Sequence, residues 1–83
     1  MRFTLIMSNV AENDLAESWL KAPDRNAVAQ AAHRIEQKLR DRADTVGEPI
    51  GSFRRYIDAP LEVMYKILPD GCSVRIYRIE LCE

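Results

Sequence analysis

The side chains best suited to chemistry in this sequence are basic and aromatic, and they gather in its second half: Arg54, Arg55, Lys66, Arg75 and Arg78, with Tyr65 and Tyr77 among them. Cations interleaved with aromatic rings can hold phosphate oxygens while a base stacks, or can grip an acidic protein surface. The same residues admit a plainer reading. On a half-solvated antiparallel sheet, charged side chains alternate outward for solubility, and Asp58, Glu62 and Glu80 are near enough in sequence to pair with the arginines. Tyr65 shares parity with Val63 and Ile67, which points it toward a core, whereas Tyr77 is open to either role. His33 stands beside Arg34 with no serine or carboxylate at suggestive spacing, and reads as a surface histidine. Cys72 and Cys82 lack the CxxC spacing of metal or redox sites. With a single histidine in the chain they fall short of the roughly four ligands a zinc site needs, so free thiols are expected, and neither a metal nor a cofactor.

Composition narrows the classes of partner. Hydrophobic residues make up 47% and charged residues 30% of the 83, which suits one globular domain and excludes a disordered tail or a disulfide scaffold. A net charge of -1 denies the chain the overall basic footprint that drives nucleic-acid binding, so any contact with RNA or DNA has to be local. The opening Phe3-Thr4-Leu5-Ile6-Met7 is too short for a signal-peptide core or a membrane span, and a cytoplasmic protein without membrane contact is expected.

The elements that must position these residues are legible in outline. Residues 2–8 crowd β-branched and aromatic side chains into a segment too short for a stable helix, and read as a strand. Ser8 or Asn9 can cap a helix carrying Val10, Leu15 and Trp19, which Pro23 ends. Trp19 reads as a core anchor between helix and sheet, with an interface anchor as the alternative. Asp24 can cap a second helix of about 17 residues, roughly 25 Å long, in which Val28, Ala32, Ile35 and Leu39 recur on one stripe and Arg34, Lys38, Arg40 and Arg42 lie opposite. Gly47-Glu48-Pro49-Ile50-Gly51 reads as a loop leading from the helical half to the sheet half. Strands are expected at 53–57, at 61–67 and, after the turn Pro69-Asp70-Gly71, at 72–81, where the alternation slips at Arg78-Ile79 and suggests a bulge.

Taken in order, Ala11, Asp14-Leu15 and Trp19 of the first helix, Ile35-Glu36 and Leu39 of the second, then Gly47, Arg55, Pro60-Leu61, Val63, Tyr65, Ile67, Val74, Ile76 and Ile79 resemble the RelE/ParE superfamily of bacterial toxins. The likeness spans nearly the whole chain, although each position taken alone is a core-packing choice open to many small domains. It implies an α+β, RelE-like fold, a strand and then a two-helix hairpin packed on a three- to four-stranded antiparallel sheet. It also implies the toxin of a type II toxin-antitoxin (plasmid stabilisation) module, a growth inhibitor neutralised by a cognate antitoxin and able to form a homodimer.

Arg55 falls on the family's recurrent arginine. RelE-type members cut mRNA on the ribosome with basic and aromatic residues at the C-terminal tail, whereas here Leu81 and Cys82 stand where a histidine and an arginine are expected. Neither can act as a general base or stabilise developing phosphorane charge. The first helix is closer to ParE-type members, which poison DNA gyrase. The resemblance therefore implies a ParE-like toxin, with a RelE-like mRNA interferase or a non-toxic binding module as the alternatives.

Overall fold

The structure, a computed structural model, describes residues 2–82. Glu83, which closes the tail segment discussed above, lies outside the described residues. The elements run β1 (Thr4–Met7), α1 (Asn9–Lys21), α2 (Arg25–Arg42), β2 (Glu48–Ile50), β3 (Phe53–Asp58), β4 (Leu61–Ile67) and β5 (Ser73–Leu81). Both helices begin on side-chain caps. Ser8 Oγ accepts the Ala11 N–H at 3.0 Å, and the Asp24 carboxylate accepts the Ala27 N–H at 3.1 Å, each satisfying a donor that has no partner inside its helix.

The sheet is larger than expected and mixed, not three- to four-stranded and purely antiparallel. Its order is β1-β5-β4-β3-β2, with β1 parallel to β5 and every other pair antiparallel. Two features hid this from the sequence. The segment 47–51 carries Gly and Pro, which break interior strands, but Glu48–Ile50 lies at the sheet's edge, where a proline needs no ladder partner on its open side, and it pairs with Phe53–Arg55 across a two-residue turn. The direction of β1 is set by the helical excursion that follows it, which returns the chain to the sheet from the far edge.

Both helices lie on one face of the sheet. Val28, Ala31, Ile35 and Leu39 of α2 pack with Leu61, Val63 and Tyr65 of β4 and with Val74, Ile76 and Ile79 of β5. Ile67 and Leu15, expected in this core, are only partly buried at its margin. Trp19 departs further, remaining 41% exposed. α1 runs along β5 and buries only Ala11 and Ser18, so its larger side chains never reach the centre.

Ile76 and Ile79 both face the core although they are three positions apart, an odd offset that would put them on opposite faces of a regular strand. The β4–β5 ladder matches Met64 with Arg78 and Tyr65 with Ile76, leaving Tyr77 as the extra residue of a bulge that resets the alternation. The irregularity expected at Arg78-Ile79 therefore sits one residue earlier.

Tyr65 is fully buried, and its hydroxyl lies 2.8 Å from the Ala43 carbonyl and 2.7 Å from that of Val46. Burial pushes its phenol above the usual 10.0, against the pull of the Arg54 guanidinium, and keeps the group a donor. A Cβ at Gly47 would stand 2.7 Å from this hydroxyl, and Gly47 also has φ +81°, so glycine is required here on both counts.

Beyond the end of β1, α1 takes over the edge of β5. The Asp14 carboxylate accepts the Ile79 N–H at 3.1 Å and the Arg78 Nε at 2.8 Å, capping a strand edge that would otherwise lie open. Partial burial would raise the Asp14 pKa, but the Ile79 and Arg78 bonds outweigh it and hold the carboxyl below the usual 3.8. A carboxylate whose folded pKa is depressed contributes stability in full above its unfolded value, and loses it as pH falls through the folded one. Asp14→Asn is therefore expected to melt below the parent at pH 7, and the gap in melting temperature should close as the pH is taken well below 3.8. A gap that stays constant with pH would remove this role from the carboxylate.

Candidate functional site

The helices cover one face of the sheet, and among the described residues no element covers the other. Register decides which side chains reach this open face. On β4, Leu61, Val63 and Tyr65 point inward, which sends Glu62, Met64 and Lys66 outward. On β3 the outward set includes Phe53, Arg55 and Ile57, and on β5 it includes Arg75 and, through the bulge, both Tyr77 and Arg78.

Four of these residues form a cluster. The rings of Phe53 and Tyr77 meet edge to face with centroids 5.3 Å apart and planes at 89°. Lys66 Nζ stands 5.8 Å over the Phe53 ring, and the Arg75 guanidinium 6.0 Å from the Tyr77 ring, both near the outer limit of a useful cation–π attraction. Lys66 and Arg75 are register partners on adjacent strands, and neither has a carboxylate partner among the described residues. Two unneutralised cations thus lie side by side, propped against two aromatic rings. Of the residues singled out from sequence, this brings together Lys66, Arg75 and Tyr77.

The three remaining arginines, Arg54, Arg55 and Arg78, are engaged elsewhere. Arg54 faces the opposite way, where its guanidinium donates to the carbonyls of Val46 (3.1 Å) and Gly47 (3.3 Å) and ties down the chain ahead of β2. It is a fold-holding arginine. Arg55 is on the open face, but lies between two carboxylates, Glu48 at 3.1 Å and Glu62 at 3.3 Å. Arg78 is held by Asp14. The cross-strand pairing expected from sequence is therefore real for Arg55 with Glu62, whereas Asp58 pairs with Arg34 of α2, both of its oxygens 2.9 Å from the guanidinium. Phe53 is the member that sequence reasoning missed. The signal was present, since Phe53 is an even number of residues from Arg55, but an aromatic at the start of a strand reads by default as core.

His33, the chain's single histidine, is exposed on α2, in the helical layer on the other side of the sheet from this cluster. Cys72 is exposed and Cys82 partly buried, both as free thiols. Among the described residues no group of His, Cys, Asp and Glu has the arrangement of a metal site, and no helix is long and apolar enough to cross a membrane.

The sequence matches no protein-family profile and no curated protein. The fold, by contrast, has clear counterparts. It superposes on a chain of the RelBE2 toxin-antitoxin complex of Mycobacterium tuberculosis with a TM-score of 0.80 at 16% identity, over 98% of this chain and 99% of that one. A chain of the chromosomal ParDE toxin-antitoxin system of P. aeruginosa gives 0.72 at 15% identity, over 99% and 98%. The isolated E. coli RelE toxin gives 0.64 at 10% identity, over 98% and 85%. The architecture is that of the RelE/ParE toxins, as the order of residues along the chain implied.

Proposed function

We propose that this chain is the toxin of a type II toxin-antitoxin module, a growth inhibitor silenced by a cognate antitoxin, and that it acts in the ParE manner by binding DNA gyrase. The observation that carries the toxin reading is end-to-end agreement of fold with chains from RelBE and ParDE systems. Binding is preferred over RNA cutting on the chemistry of the open face. Lys66 and Arg75 supply attraction for an acidic surface, and Phe53 and Tyr77 supply rigid contact area, but the carboxylates nearby, Glu48 and Glu62, are already tied to Arg55 and the histidine is on the far layer.

A second reading, a RelE-like mRNA interferase, is favoured by the same cluster, because paired cations beside two aromatic rings also suit a phosphate backbone and an unstacked base.

Expression of the chain alone should slow growth, and co-expression of the small gene adjacent to its own should restore it. The two products should copurify through an interface of about 1,000 Å² or more, with a large rise in melting temperature. The purified toxin should inhibit gyrase supercoiling and leave mRNA intact with or without ribosomes. Robust mRNA cutting would replace the first reading by the second, and harmless overexpression would end both.

A further inference from the structure

The open face of the sheet is charged at two places, and the two differ in sign. Lys66 and Arg75, register partners on β4 and β5, form one like-charge pair, and Glu62 and Glu80, register partners nearer the start of β4, form another. At strand spacing the step between the pairs is about 13 Å. Around the second pair carboxylates outnumber cations, because Glu48 and Glu62 share the single Arg55 and Arg78 is taken by Asp14. Glu80 forms no ion pair among the described residues. One end of the face is therefore positive and the other negative.

Like charges directly opposite one another on neighbouring strands cost the fold stability, and here the cost is met at both ends. The arrangement restricts what can lie on the face. A nucleic-acid strand carries a negative charge at every nucleotide, so one laid along β4 from Lys66 brings phosphates over Glu62 and Glu80. Laid across the strands instead, it meets Ile6, the register partner of Arg75, on one side and Phe53 and Ile50 on the other, with no further cation. We infer that the face takes a protein surface of mixed charge and rejects nucleic acid. The partner places a carboxylate on Lys66 and Arg75 and, about 13 Å away, a lysine or arginine on Glu62 and Glu80. Tyr77 and Ile57 supply apolar contact, Ile57 being 52% exposed and opposite Glu62 on β3. Glu62 and Glu80 then set specificity, since an unanswered carboxylate penalises the wrong partner as well as attracting the right one. The inference rests on the binding role proposed for this face.

Two titrations of the purified chain test this, one with a fluorescent oligouridylate and one with purified DNA gyrase. The parent should bind the oligonucleotide only weakly, with a dissociation constant of about 100 μM or above. The Glu62→Gln, Glu80→Gln double variant should bind it about tenfold or more tightly, and the gain should fade toward 1 M salt as the charges are screened. A merely structural effect of the substitutions would not produce a salt-dependent gain of affinity. The same variant should bind gyrase about tenfold more weakly than the parent, with its melting temperature within a few degrees. If the parent ignores gyrase while the gain on the oligonucleotide persists, the gyrase reading ends and the rejection of nucleic acid stands. A variant that gains nothing on the oligonucleotide, a parent that already binds it as tightly as the variant does, or a variant that gains there yet holds gyrase as the parent does would each overturn the inference.

Discussion

Ile35→Ala is expected to lower stability by about 2–5 kcal/mol, enough to unfold a large share of the molecules at 37 °C in a chain this small. Ile35 is 2% exposed and sits where α2 meets β4 and β5. It already borders a small cavity of about 50 Å³, together with Leu61, Val63, Ile76 and Ile79. Removing three carbons enlarges that void. The sheet below is held by its ladders and α2 is clamped at Asp58 by Arg34, so the surroundings have little freedom to close in. Urea titration should show the midpoint displaced with an unchanged slope, and a loss under 1 kcal/mol would mean that the core is not packed as described.

Combined Lys66→Ala and Arg75→Ala substitutions are expected to have the largest effect on function. They should abolish growth inhibition on expression while leaving the melting temperature within a few degrees of the parent, because neither cation forms an ion pair among the described residues. Removing two centrally placed cations from an interface costs about 2 kcal/mol each in favourable cases, which together amounts to roughly a thousandfold in affinity. Arg55→Ala should do less, since its charge is already answered by Glu48 and Glu62. If the double variant slows growth as strongly as the parent, the open face is not the target surface. If Arg54→Ala alone removes inhibition, the effect should trace to lost stability, because that side chain braces the segment before β2.

How far these features were legible in the sequence depended on whether they were written locally. The caps at Ser8 and Asp24, the inward alternation of Leu61, Val63 and Tyr65, and the apolar stripe of α2 are each set by neighbours within one or two turns or strands, and could be read directly. The parallel pairing of β1 with β5 is a long-range fact that no local pattern encodes. Trp19 was misread because size and hydrophobicity argue for burial on average, while its actual exposure follows from α1 lying over the edge of the sheet and not over its middle. The same holds for the basic residues. Parity separated Arg54 from Arg55 in principle, but only the register showed that three of the five basic candidates are spent on carbonyls or carboxylates, leaving Lys66 and Arg75.

The pairing of the first strand with the last bears on how the protein is made. Ser8 Oγ bonds the Tyr77 carbonyl across 69 residues of chain, and β1 has no other strand beside it. At synthesis rates of about 5–20 residues per second, roughly 3–14 s separate the emergence of the two segments from the ribosome. Until β5 arrives, β1 has no ladder, α1 has no strand edge to cap, and Arg75 and Tyr77 do not yet exist beside Lys66 and Phe53. The cation–aromatic cluster of the open face and the capped edge of β5 are therefore completed together, in the last step of synthesis.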